Sequence, residues 1–273
     1  MSNPEDSVRP LPDQQLSFAI DPATDLAQLH LLAESNFDEG EYEAALMRYI
    51  EVFEGSRSLP KWQTMRLTIL LADMAALADD YEPAMQALTS MRDLREAAML
   101  GAKQDWTTIS EWAALNHQLE PERTIDIYFK LKANSAQYGP TLSTIRQIES
   151  SHFIRLGLYQ ELDKETLAHL QKKILLHESE VLSQREDDGT SEEEHEEALE
   201  KAIEALLEVA LELFEAAAAL KEGDIGRETM NKYLAYQRST NSYSKLISAA
   251  QKANNKVWVA GLEKLAADKR TSL

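Results

Sequence analysis

Six histidines, His30, His117, His152, His169, His177 and His195, are the side chains here whose ordinary pKa lies near neutrality, and the chain has no cysteine. No two of them stand three or four residues apart, the step that sets two metal ligands on one helix face, and His-Glu-x-x-His is absent. Without thiols there is no thiolate nucleophile, zinc ribbon or iron–sulfur ligand set. Phosphate-binding Gly-x-x-x-x-Gly-Lys, the Gly-x-Ser-x-Gly elbow and Gly-x-Gly-x-x-Gly are missing as well. The 47 acidic residues are abundant, but paired acid–base chemistry needs environments that drive two pKa values apart, which spacing alone does not show. His195, in Glu192-Glu193-Glu194-His195-Glu196-Glu197, reads as a solvated helix start. The expectation is a protein that is not an enzyme, with no catalytic residue, no metal and no cofactor.

The elements that would position any site follow from composition and period. The 273 residues carry 28 Lys and Arg, giving a net charge of −19, with 44% apolar residues, nine glycines and eight prolines. That is enough chain for one large or two small cores, and it excludes collagen-like, disulfide-stapled and disordered classes. A net anion of this size is a poor partner for nucleic acid. The N-terminal segment has neither a basic stretch nor an apolar run of the secretory type. No window approaches a membrane span, so no membrane partner is expected and the location is read as cytoplasmic. Pro4, Pro10 and Pro12 point to a mobile tail over residues 1–20.

From Asp21 onward Leu, Ala, Glu, Lys and Gln dominate, and apolar residues recur at three- and four-residue steps, as in Leu26, Leu29, Leu32 and Ala33. A turn also recurs. Gly40-Glu41-Tyr42-Glu43-Ala44-Ala45 is followed 39 residues later by Asp79-Asp80-Tyr81-Glu82-Pro83-Ala84. Leu119-Glu120-Pro121 lies a further 40 along, Gly157-Leu158-Tyr159 another 38, and Gly223-Asp224-Ile225 a further 66. Helix–turn–helix units at periods of this size predict a helical solenoid. Glycine permits the left-handed cap, the aromatic two residues on packs between the helices, and the alanine after it lets them approach.

These residues resemble the tetratricopeptide repeat family. Leu29, Leu32, Ala33, Gly40, Tyr42, Ala45 and Tyr49 carry the resemblance in the first repeat, and Leu71, Ala72, Tyr81, Ala84 and Leu88 in the second. The third departs from it with Trp112 where a small residue belongs, and the fourth keeps little beyond Gly157 and Tyr159. The fold class implied is all-α: a right-handed solenoid of helical hairpins, tetratricopeptide-like over residues 21–158, with a longer-helix C-terminal part. The family's concave lining carries over to His30, Glu34 and Asp38, to Arg66, Ile69 and Asp73, and to Ile109, Ala113, Asn116 and His117. Gln147, Ser151 and Arg155 would follow in the fourth. With His30 and Glu34 where some members clamp a C-terminal carboxylate with Lys and Asn, that role is not expected. The period near 39 implies longer helices and a wider groove.

Beyond the repeats, residues 159–184 read as a connecting helix with Asp163 at its cap, and 185–191 as an acidic loop. Residues 192–273 hold a long helix to about Lys221 and then a helical repeat with capping helices. From Gly226 onward nine Lys and Arg face three Asp and Glu. This basic end either docks along the acidic body or serves a separate acidic partner, and Val257, Trp258, Val259 and Leu262 suit either use. The resemblance thus implies an adaptor, scaffold or chaperone that holds a basic or apolar-basic segment of another protein, with homodimerisation left open. The alternative is a peptide-responsive regulator or self-assembling protein whose groove its own basic C-terminal region fills.

Overall fold

The computed structural model describes residues 26–101, 105–186, 192–237 and 239–270, and among them there are helices and no strand. The expected tail over 1–20 and most of the acidic loop, residues 187–191, lie outside the described residues. Arg185, placed in that loop from the sequence, belongs to the preceding helix. The chain divides into two compact units. Unit 1 is the chain to Leu94 with Ala114–Pro121, and unit 2 is Arg95–Ala113 with everything from Glu122 onward.

Unit 1 contains α1 (Leu26–Asp38), α2 (Tyr42–Gly55), α3 (Gln63–Leu67) and α4 (Ile69–Asp80). To these it adds parts of α5 (Glu82–Leu100) and α6 (Trp106–Leu119). Gly40 takes φ +77°, its N–H bonds to the Phe37 carbonyl at 3.0 Å, and that of Glu41 reaches Asn36 at 2.8 Å. This paired closure satisfies the last carbonyls of α1 and turns the chain back as α2. Tyr42 sits 5.9 Å from Phe37 and 6.0 Å from Tyr81, ring to ring. Ala33, Ala45 and Ala84 are fully buried, as close helix approach requires, around a core of Tyr49, Val52, Phe53, Leu71, Met74 and Leu88.

Two expectations are corrected here. The extra length of the first period is not spent on longer helices, since α1, α2 and α4 have 13, 14 and 12 residues. It forms a connector: a 3-10 turn over Pro60–Trp62, then α3, separated from α4 by a break at Thr68 (φ −116°, ψ −78°). Pro60 starts that turn where its missing N–H costs nothing. Ala72, named among the residues that carry the resemblance in the second repeat, is exposed, because α4 buries Leu70, Leu71, Met74, Leu77 and Ala78 instead.

Unit 2 contains α7 (Arg123–Lys132), α8 (Ser135–Ile148), α9 (Ser150–Arg155), α10 (Lys164–Glu186) and α11 (Glu192–Leu220). Helices α12 (Gly223–Tyr236), α13 (Thr240–Lys252) and α14 (Lys256–Arg270) complete it. Trp112, the bulky residue at a position meant for a small one, is buried and donates its indole N–H to Glu96 at 3.0 Å. Arg123 holds both oxygens of the same carboxylate at 2.9 Å. Asp163 caps α10 as expected, accepting from the backbone N–H of Thr166 at 2.8 Å and from its hydroxyl at 2.9 Å. Helix α11, 29 residues and so about 44 Å long, packs against α10, α12 and α13.

The Gly40 closure recurs three times. Gly157 has φ +71°, but Lys221 (+61°) and Asn254 (+52°) make the same turn without glycine, each with the matching pair of backbone bonds. Gly223, expected to be the turn residue, is instead the first residue of α12. The basic end is part of unit 2. Tyr233, Leu246, Ala250 and Leu262 are buried in its core, Trp258 meets Phe214 edge-on at 5.1 Å, and Lys232 pairs with Glu178 at 2.6 Å. Val257, by contrast, is exposed.

Candidate functional site

Helices α1 and α4 are neighbours within unit 1, and their facing turns bring together three of the lining residues named from the sequence. His30 and Glu34 stand four residues apart on α1, hence on one face. Asp73 comes from α4. The His30 Nε2 lies 2.8 Å from the Asp73 carboxylate, and one donor atom from each of the three residues falls within 4.8 Å of the others. His30 is 8% exposed, whereas Glu34 is only half-buried.

Tyr49 of α2 packs its ring 6.0 Å from that of His30. Burial pushes its phenol well above the ordinary tyrosine value, and the negative charges of Asp73, Glu34 and Asp38 push it further. The carboxylates of Asp73, Glu34 and Asp38 thus all act on this one phenol. The sequence reading had Tyr49 as a repeat core residue, so its nearness to the charges was missed.

The remaining lining positions divide. Asp38 continues the α1 row one turn on and is exposed. Ile69, one turn before Asp73 on α4, is 54% exposed. Arg66 is buried, its guanidinium 4.7 Å from the Phe53 ring centre, and so it is not presented on the surface. Ile109, Ala113 and Asn116 are corrected: they are buried at 0, 1 and 0% exposure. The physical reason is that α6 is buried without interruption from Thr108 to Ala113 and again at Leu115 and Asn116. More than two turns are thus enclosed all round, which leaves no face to present. His117 is exposed.

Unit 2 has a second charged group that residue spacing did not announce. Ser151 donates to Glu212 at 2.7 Å, and His152 and Glu149, both buried, approach to 3.6 Å. Burial raises the Glu212 pKa, with Glu208 and Glu215 adding to it against the Ser151 bond and the Lys173 charge. Burial likewise lowers the Lys173 pKa, against the pull of Glu212 and Glu149. Gln147 and Ser151 are half-buried and Arg155 exposed. Ser151 is thus engaged inside the unit. A separate concavity of about 710 Å³ runs along α11, with Glu200, Glu204, Glu208, Leu211, Tyr233 and Lys245 among its walls.

Among the described residues, no helix is long and apolar enough to cross a membrane. Compared with known proteins, the chain matches no family model, no curated protein and no solved structure.

Proposed function

We propose that this chain is a non-enzymatic, cytoplasmic interaction module of the tetratricopeptide-like solenoid kind. As an adaptor, scaffold or chaperone, it grips a basic or apolar-basic segment of another protein on the α1–α4 face. The observation that carries the reading is the convergence of His30, Glu34 and Asp73 from two helices, α1 and α4. Asp38 prolongs the acidic row, and exposed Ile69 adds an apolar anchor beside it. Among the described residues, no Lys or Arg ion-pairs with Glu34, Asp38 or Asp73. An incoming Lys or Arg would therefore meet carboxylates that no internal cation has neutralised. Such charges set specificity and association rate, while the apolar anchor supplies burial.

The alternative, a groove filled by the chain's own basic end, gains less support. Helices α12–α14 would have to give up Tyr233, Leu246 and Ala250, which are buried in unit 2. The test is an array of Lys- and Arg-containing peptides with and without apolar positions, probed with the intact chain and with Glu34→Lys/Asp73→Lys. The reading expects capture of basic-apolar peptides that fades as salt rises through about 0.15 M, where screening shortens to about 8 Å, and is absent in the double variant. Equal binding by both proteins would sink it.

A further inference from the structure

We infer that His30, Glu34 and Asp73 form a binding site for a divalent transition-metal ion of the zinc class. Its donors come from two helices, so no linear spacing of ligand residues marks it in the sequence. His30 and Glu34 supply an i, i+4 chelate on α1, and Asp73 closes the third corner from α4. The imidazole nitrogen and the Asp73 oxygen are already 2.8 Å apart, and all three donors lie within 4.8 Å. Metal bonds of about 2.0–2.2 Å set tetrahedral ligands a little over 3 Å apart. Glu34 is half-buried, and the site requires its side chain to close the remaining difference.

Glu34 and Asp73 set two carboxylates side by side, and among the described residues neither has a Lys or Arg partner. Like charges so close oppose one another unless a cation lies between them. A divalent ion balances them, with the buried imidazole, held against the Tyr49 ring, as its neutral ligand. One nitrogen and two oxygens suit zinc, manganese, cobalt or nickel; magnesium and calcium favour all-oxygen cages, and thiolate-seeking copper(I) finds no sulfur here. Three protein ligands leave at least one coordination position open to water or to a partner side chain.

This inference does not rest on the peptide reading, and its readout is separate. Zinc chloride is titrated calorimetrically into the full chain, and cobalt(II) absorption reports ligand geometry. One equivalent of zinc should bind at roughly micromolar affinity or better. Glu34→Gln and Asp73→Asn, which keep side-chain shape and are checked for helix content by circular dichroism, should each weaken it by more than the roughly 10–100-fold that loss of an outer partner costs. Glu200→Gln/Glu204→Gln on α11 should leave it unchanged. Zinc that binds equally to the α1 and α4 variants, or to none of the proteins, overturns the site. Magnesium that competes at equal concentration overturns the metal class. Peptide capture is read on the array, so either proposal can fail while the other stands.

Discussion

Replacing Lys132 by Met should destabilise unit 2 by about 2 kcal/mol, because it strands a carboxylate that has little water to fall back on. Glu161 follows the Gly157 turn with its side chain 5% exposed, and Lys132 Nζ reaches its two oxygens at 2.7 and 2.6 Å. Its other bond comes from the Tyr128 hydroxyl at 3.0 Å. Removing one partner of a fully buried pair costs about 3–5 kcal/mol. Two features reduce this: the Lys132 side chain is 48% exposed, so solvent already screens the pair, and the Tyr128 bond survives. In a unit of this size, about 2 kcal/mol corresponds to a midpoint lower by about 4–8 °C. Tryptophan fluorescence suits the assay, since Trp106, Trp112 and Trp258 all lie in unit 2. The double variant Lys132→Met/Glu161→Gln removes the stranded charge while keeping an acceptor for Tyr128, so it should recover more than half of the loss. A single-variant loss below about 0.5 kcal/mol, or a double variant no more stable than the single, would refute the reasoning, because surface-like pairs contribute in that range.

Three further outcomes are expected. Lys221→Gly and Asn254→Gly should each raise stability by up to about 1 kcal/mol, since an L side chain at positive φ is strained, whereas Gly157→Ala should lower it by a similar amount; thermal midpoints decide both signs. Gly226→Ala should destabilise despite its better helix propensity, because the new methyl would stand 3.0 Å from the Trp258 ring, whose edge-on packing with Phe214 any shift would disturb; overpacking of about 1–3 kcal/mol outweighs a gain of about 1. The pH dependence of Glu212 has a definite sign. Its folded pKa lies above its ordinary value because it is buried, so the folded state binds the extra proton and stability falls as pH rises from about 4.5 through the raised value. Glu212→Gln should flatten that slope in a series of thermal melts, and an unchanged slope would assign the dependence to another group.

How far the sequence could be read depends on which physical signal each feature leaves. That the chain is helical almost throughout was legible because apolar period and sparse glycine and proline are local properties, whereas the break at Thr68 that parts α3 from α4 left no such signal. The Gly40 and Gly157 turns were legible because glycine marks a left-handed residue. Lys221 and Asn254 adopt the same conformation and were missed: a lysine advertises no φ, and Gly223 two residues on drew the assignment instead. The i, i+4 pairing of His30 with Glu34 follows from helix arithmetic alone. Its junction with Asp73 depends on how α1 lies beside α4, which the period of 39 suggested but could not determine.

That junction depends on the connector between α2 and α4, which explains why some lining positions came together and others did not. Pro60 starts a 3-10 turn, Thr68 returns its hydroxyl to the Thr64 carbonyl at 2.8 Å, and the chain breaks there before α4 begins. The break leaves α4 free to start on its own face, turning Ile69 and Asp73 outward and Leu70, Leu71 and Met74 inward. Arg66, on the near side of the break, turns into the core under Phe53 although it stands only seven residues before Asp73. A continuous helix would place residues seven apart close to one face; Arg66 and Asp73, both named as lining positions by the repeat resemblance, are instead divided by the break. With Arg66 buried under Phe53, the face between α1 and α4 carries Glu34, Asp38 and Asp73 around the buried His30 imidazole, and it is on this arrangement that both the peptide and the metal proposals stand or fall.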